Sequence, residues 1–320
     1  VTPRSRSIDA LLVLMVLIWG ANYSAIKRAF DEMPPQVFNA LRIFLASCIF
    51  LTAIKLAQRR ARQGRGRTSA VFYTPFPLTR RDRLDLLWLG VVGHWMYQLF
   101  FVGGVALTNV SNGALIIGAT PIVIATVSWL LGRETIGALH WLGAAVSVAG
   151  IYFVVGRGAS FGGTTLGGDI LVMISVGCWT AYTIGGARLI TRHSPLYVTG
   201  TTMSIGAVPY VILAVPQILR MNWSGVGAAT WATLVLSAVL ALCLSYLIWY
   251  TAVQRIGPAR TSIFSNLVPI VAIGVAAVWL GEPLTSATLV GAVGVLSGVF
   301  LSRLGRSRAA VKPEGEPSGG

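Results

Sequence analysis

The side chains with most to offer chemically lie in stretches that are otherwise apolar. His94, Tyr97, Gln98 and Phe101 recur at three- and four-residue spacing, so on a helix they share one face. Tyr246, Trp249 and Tyr250 repeat that pattern, Trp19 shares a face with Asn22, and Trp179 shares one with Tyr182. Asn266 precedes Pro269 by one turn. Arg42 lies about 8 Å into an apolar run, at a rise of ~1.5 Å per residue. Indole and phenol rings stack on apolar or aromatic groups, amide and imidazole groups hold polar ends, and a guanidinium holds a carboxylate. This is the chemistry of binding a small molecule in a mostly apolar pocket. Packing is the rival reading. Tyr and Trp near span ends form interfacial belts, which suits Trp141, Trp223 and Trp231, and Arg42 can snorkel outward.

Bond-making chemistry is not indicated. His94, His140 and His193 are far apart, with no Cys or carboxylate at ligand spacing, so no metal is expected. The run from Gly162-Gly163 to Gly167-Gly168 lacks the Lys-Ser/Thr of a phosphate loop, and no cofactor is implied. No nucleophile–base pair stands out, so an enzyme is not expected. The acidic residues avoid the middle of the apolar runs: Asp9, Glu134, Asp169 and Glu282 sit at their ends, Asp31, Glu32, Asp82 and Asp85 in or beside loops, and Glu314 and Glu316 near the end of the sequence. That argues against a carboxylate proton relay and favours diffusion of a substrate down its own gradient, with His94 the one deep titratable group left for coupling.

The elements that must position these groups are membrane helices. Of 320 residues, 55% are hydrophobic and 11% charged, with mean hydropathy +0.73. Apolar runs of this length are transmembrane helices rather than the core of a soluble domain. Ten are expected: Asp9–Ile26, Val37–Ile54, Leu84–Leu107, Ser111–Leu131, Gly137–Val155, Asp169–Leu189, Tyr197–Leu219, Ala228–Val253, Ala259–Leu280 and Ser286–Leu304. The fold class is therefore all-α, a polytopic membrane protein. Leu11–Ile18 runs on into further helix, so no cleavable signal is expected. The net charge of +15 is read as loop charge facing the cytoplasm, not as a nucleic-acid surface. With the N-terminus inside, only Lys27, Arg28, Arg157 and Arg220 fall outside, and Arg42 lies within a span. Both termini are expected in the cytoplasm, with the chain in a bacterial inner membrane.

The chain also repeats itself. Pro-Ile-Val occurs at Pro121 and Pro269, 148 residues apart, and Glu134/Glu282, Gly143/Gly291 and Gly150/Gly298 share that spacing. Nearer the start, Asp9/Asp169, Trp19/Trp179 and Pro35/Pro195 are 160 apart. The extra residues of the first half fit in the basic loop 58–83. Residues 1–157 form one five-helix repeat and 158–304 a second, with a Gly-rich link at 158–168 and a disordered tail at 305–320. Five is odd, so the second copy is inverted. Inverted repeats characterise secondary transporters that bind substrate near the midplane between halves. Pro121 and Pro269 are candidate gating hinges, because proline removes a helix hydrogen bond. The glycines at 143, 150, 291, 294 and 298 form small-residue packing faces that could serve a homodimer, with a monomer favoured.

Trp19-Gly20-Ala21-Asn22 with Lys27, the two endings Leu131-Gly132-Arg133-Glu134 and Leu280-Gly281-Glu282 after mid-helix prolines, and the spaced glycines of the last helices together carry a resemblance. Over roughly residues 9–304 the chain resembles the drug/metabolite transporter superfamily, and within it the ten-helix EamA-type exporters. It is most similar in appearance to bacterial amino-acid exporters, including the aromatic amino acid exporter group. The second half departs from the first-helix pattern, with Trp179-Thr180-Ala181-Tyr182 lacking Gly and Asn, so the halves need not line a site equally. The resemblance implies export of amino acids or related small metabolites by alternating access. Efflux of drugs or other metabolites, and a non-transporting receptor or assembly subunit, are the alternatives. The substrate residues expected are Trp19, Asn22, Arg42, His94, Tyr97, Gln98, Trp179, Tyr182, Tyr246, Trp249 and Asn266.

Overall fold

The computed structural model describes residues 3–63, 69–132, 137–158, 164–256, 261 and 264–304. Among them the chain is helical, without strands. The helices are α1 (Pro3–Ala29), α2 (Pro35–Arg62), α3 (Arg80–Leu107), α4 (Val110–Leu130), α5 (Ala138–Gly158), α6 (Thr164–Leu189), α7 (Pro195–Arg220), α8 (Ala228–Ile256), α9 (Val268–Leu280) and α10 (Ser286–Leu304). Seven contain stretches long and apolar enough to cross a bilayer, while α5, α9 and α10 are shorter apolar helices.

Local sequence sets the helix ends. Pro35 and Pro195 open α2 and α7, where the missing N–H costs nothing. α3 begins at Arg80, earlier than the apolar run, because Thr79 and Asp82 form a reciprocal capping box. α2 outlasts its apolar run and ends at Arg62, with Arg59, Arg60 and Arg62 in its last turn, where cations suit the helix dipole. The connection 58–83 is therefore shorter as a loop than its polarity suggests. Gly132 and Gly281 follow α4 and α9, each at φ +67°, the left-handed position that favours glycine.

Packing follows an exchange of halves. α2 lies along α7, and α5 along α10. α3 packs on α6 as α8 packs on α1, and α4 meets α6 as α9 meets α1. A membrane supplies no hydrophobic drive between helices, so close approach matters more. The glycines of α5 and α10 provide it within the chain. A Cβ added at Gly150 would lie 2.7 Å from the Val295 nitrogen, and one at Gly294 would lie 2.9 Å from the Gly150 Cα. Ser147 Oγ donates to Val295 O at 3.0 Å across the same contact. These faces are thus occupied by each other, whereas their sequence pattern left a second copy open as a partner.

The proline helices differ from their expected form. Rather than kinking continuous helices, both break before the proline. The fourth span is interrupted at Ala119 and resumes at Thr120–Leu130, with Pro121 in its first turn. The later span is interrupted at Asn266–Leu267 and resumes at Val268, with Pro269 in its first turn. Gly118, at the first break, packs so closely on Pro269 that an added Cβ would lie 2.7 Å from the ring Cγ. The two breaks therefore abut at the centre of the bundle. Glu134, Arg133, Ser262 and Arg260, the Gly-rich run 159–163 and the tail 305–320 lie outside the described residues.

Candidate functional site

Wide helical turns shape the centre. Val91–Met96 within α3 and Ser237–Leu244 within α8 are π-helical, at matching places in the two halves. Such turns displace backbone carbonyls from the regular ladder and recur at functional sites. In α8 one carbonyl, Ala241 O, accepts from Trp19 Nε1 at 3.1 Å, and Leu240 O accepts from Ser245 Oγ at 2.9 Å. In α3 the wide turn carries His94 and immediately precedes Tyr97 and Gln98.

A central cavity of about 70 Å³ lies between the halves. Trp19, Asn22, Arg42, Tyr97, Gln98, Trp179 and Tyr246 line it, joined by residues beside both helix breaks: Ile117 and Thr120 on α4, and Ser265 and Val268 on the later span. Ile117/Ser265 and Thr120/Val268 are pairs 148 apart, so the two broken helices present equivalent positions. The volume is well below the roughly 300–1,000 Å³ of sites that engulf a small molecule. Loading requires side chains or halves to part.

One wall is an aromatic cluster. Trp19 lies 5.8 Å from Trp179, 6.0 Å from Tyr246 and 5.8 Å from Trp249, centroid to centroid. Tyr97 lies 5.3 Å from Trp179 and stacks on Phe101 at 5.5 Å. The other wall is polar and centred on Arg42, which is only 1% exposed. Arg42 Nε donates to Asn39 Oδ1 at 3.0 Å, Nη2 to the same oxygen at 2.5 Å and to Gln98 Oε1 at 3.1 Å, and Nη1 to Ser237 Oγ at 2.9 Å. Ser237 Oγ donates in turn to Asn22 Oδ1 at 2.6 Å, and Gln98 Nε2 donates to Tyr246 OH at 3.5 Å. Among the described residues no carboxylate pairs with Arg42. A guanidinium this deep faces a desolvation cost of several kcal/mol, and neutral partners offset only part of it.

The remaining expected residues stand behind the wall rather than in it. His94 is fully buried, and its Nε2 meets Tyr182 OH at 3.0 Å and Thr202 Oγ1 at 3.1 Å. Tyr182 is held over Gly93, where any side chain would collide with its ring. Trp249 is buried beneath Trp19 and Trp179. Asn266 sits in the break before Pro269 with its Oδ1 buried and unpartnered among the described residues. Sequence reasoning overlooked Asn39, Ser237, Tyr23 and Thr120. Asn39 could have been found, since it precedes Arg42 by three residues on one helix face. Ser237 could not, because its contact with Arg42 spans 195 positions.

The motif residues at the cavity's far end form a clasp. Lys27 Nζ donates to the carbonyls of Val105, Ala106 and Thr108 at 2.8, 3.0 and 2.6 Å, capping the end of α3. Glu282 accepts from the Val110 and Ser111 amides at 2.8 and 3.2 Å and from Ser111 Oγ at 2.8 Å, capping the start of α4. Each charge matches its helix dipole. Asp169 holds the same corner, accepting from Thr108 Oγ1 at 2.5 Å and Asn112 Nδ2 at 3.4 Å. At the opposite end the buried Asp82 meets His193 Nε2 at 3.3 Å and Arg192 at 3.5 Å.

The comparison with protein families decides what this arrangement belongs to. The model of the EamA-like transporter family matches twice, over residues 6–156 and 166–304. The chain belongs to the EamA-like transporter family. It is 27% identical over 297 residues to the uncharacterized transporter YyaM of Bacillus subtilis (strain 168), covering 92% of each chain. It is 25% identical over 292 residues to an uncharacterized transporter of Archaeoglobus fulgidus, covering 91% of this chain and 96% of that one. A solved crystal structure with 17% identity and a TM-score of 0.64, covering 93% of this chain and 98% of that one, has the same fold. Within this family the chain is a polytopic membrane transporter of a small-molecule substrate and not an enzyme.

Proposed function

We propose that this EamA-type transporter exports amino acids or related small metabolites with an aromatic or apolar body, by alternating access of its two five-helix halves. The observation that carries the reading is Arg42: a guanidinium at the centre of the bundle, with neutral partners, on the wall of a cavity otherwise built from Trp and Tyr rings. The guanidinium would take the carboxylate, and Trp19, Tyr97, Trp179 and Tyr246 the apolar body. His94, Tyr182, Trp249 and Asn266 would shape that wall from behind. The abutting breaks at Pro121 and Pro269 support hinges beside the cavity, since each half then has a point that bends without stretching a continuous helix. The Lys27–Glu282 clasp and the Asp82–His193 pair would be the two gates.

The distribution of basic residues supports cytoplasmic termini in a bacterial inner membrane, and with it an Asp82–His193 gate on the cytoplasmic side. Residues 1–157 and 158–304 would be the rocking units. No carboxylate lines the cavity among the described residues, which supports facilitated diffusion over proton coupling. Counterflow in proteoliposomes with a panel of labelled amino acids and deaminated analogues tests the reading. Exchange of at least one aromatic member is expected, persisting without a proton gradient. Exchange of none would overturn the proposed substrate range, and exchange only under a proton gradient would overturn the facilitated mechanism.

A further inference from the structure

The charge balance of the cavity goes further than its aromatic character. A zwitterion brings two charges into the site and needs an anion for one and a cation for the other. The wall has a cation, Arg42, and among the lining residues no anion. Asp82, Asp85, Asp169 and Glu282 are engaged at the two ends of the bundle, and Asp31 and Glu32 lie on the α1–α2 turn. Of the amide oxygens near the centre, Gln98 Oε1 accepts from Arg42 and Asn22 Oδ1 accepts from Ser237, while Asn266 Oδ1, buried without a partner among the described residues, stands outside the cavity lining. The hydrogen bonds described account for four of the five N–H groups of Arg42, all to uncharged oxygens. The resident charge is therefore left for a ligand to neutralise, while a second cation would meet a like charge in a low-dielectric interior. The rings could cradle an ammonium through their faces, but that attraction is weak beside the loss of hydration and the repulsion from Arg42.

We infer that the site selects aryl or other apolar monocarboxylates lacking an α-ammonium group over the corresponding amino acids. The inference rests on the transport reading and names the substrate class of the same cavity. The carboxylate sits on Arg42, flanked by Gln98 and Ser237, and the ring lies among Trp19, Tyr97, Trp179 and Tyr246. Asn39 is a positioning residue, since its oxygen takes two guanidinium N–H groups and fixes the plane of the fork.

The test is isothermal titration of the purified full-length protein in nanodiscs with four probes of one shape: 3-phenylpropionate, L-phenylalanine, 2-phenylethylamine and 3-phenylpropanamide. The expected order places 3-phenylpropionate ahead of L-phenylalanine by about tenfold or more in affinity, with the amine weakest. Arg42→Gln should bring the acid and the neutral amide to equal affinity, and Arg42→Lys should keep a reduced preference for the acid. Equal or tighter binding of L-phenylalanine or the amine, or binding of none of the four, overturns the inference, as does a preference for the acid that survives Arg42→Gln. The unsubstituted protein alone decides the order should a variant fail to fold. Counterflow separates the two readings: exchange of L-phenylalanine by a protein that binds it as well as the acid leaves transport standing and removes this inference. Absence of exchange with every probe removes the transport reading for this class.

Discussion

Arg42 on α2 and Thr202 on α7 occupy equivalent places in the two halves, 160 residues apart, and their surroundings differ in one instructive way. Around Arg42, α1 supplies Asn22 and α8 supplies Ser237. Around Thr202, α6 supplies Tyr182, the counterpart of Asn22, and α3 supplies His94. The second network is neutral and turns inward, since Thr202 also donates back to Val198 O and Thr199 O, with His94 Nδ1 buried and without a partner among the described residues. The first carries a charge and opens onto the cavity. In one half the centre is packing, and in the other the same position is charged and lines the cavity. A buried charge without a counter-ion is weak evidence for stability, so its place here argues for a ligand.

The largest expected effect lies on the charged side. Arg42→Gln should lower counterflow of aromatic carboxylates by roughly a hundredfold, as truncating a buried hydrogen-bonded charge does elsewhere, with Arg42→Lys between it and the unsubstituted protein. Equal losses from Thr202→Val would erase the distinction between the halves. On the neutral side, Tyr182→Phe removes the hydroxyl shared by His94 and Thr202. It should cost about 1 kcal/mol of stability in thermal unfolding and change exchange by no more than about threefold. The hinge acts on exchange rather than on stability. Pro269→Ala should slow exchange several-fold while shifting stability by less than about 1 kcal/mol; unchanged exchange would leave the broken helix as a packing feature.

The smallest effect belongs to another mirrored contact. Glu32, on the α1–α2 turn, accepts from Thr230 Oγ1 at 2.7 Å and Gly227 N at 2.8 Å at the start of α8. The Thr230 hydroxyl first, then the Gly227 amide, hold its carboxyl below the ordinary 4.5. A lowered carboxylate contributes stability above its unfolded value and loses it as pH falls through the folded one. Thermal stability from this exposed contact should therefore be flat across neutral pH and decline only in acid, and Glu32→Gln should remove that acid dependence. A decline beginning near neutrality would contradict this origin of the pH response.

The fold was largely legible because apolar runs and a 148- and 160-residue echo survive in the sequence. Trp19, Asn22, Arg42, Tyr97, Gln98, Trp179 and Tyr246 were legible as cavity residues for a related reason: polar and aromatic groups deep in spans are costly unless they face one another. The same logic does not separate the lining residues from His94, Tyr182 and Trp249, which stand behind the wall. Depth says that a group avoids lipid, but whether it meets a cavity or a neighbouring helix depends on tertiary contacts such as those between α3, α6 and α7. The wide turns at Val91–Met96 and Ser237–Leu244 had no local signal in their apolar sequences. Lys27 and Glu282 were recognised as motif residues, yet their joint role at the α3–α4 corner needed the fold, since 172 positions separate Val110 from Glu282.

The contact between Arg42 and a ligand carboxylate can be measured directly. Carbon–nitrogen dipolar recoupling in the solid state, between carboxylate-labelled 3-phenylpropionate and guanidinium-labelled protein in lipid, reports that distance. A coupling corresponding to about 4 Å or less, absent in Arg42→Lys, is the result expected. Bound ligand with no such coupling, or a coupling that survives the substitution, would contradict the assignment of Arg42 as the anchor.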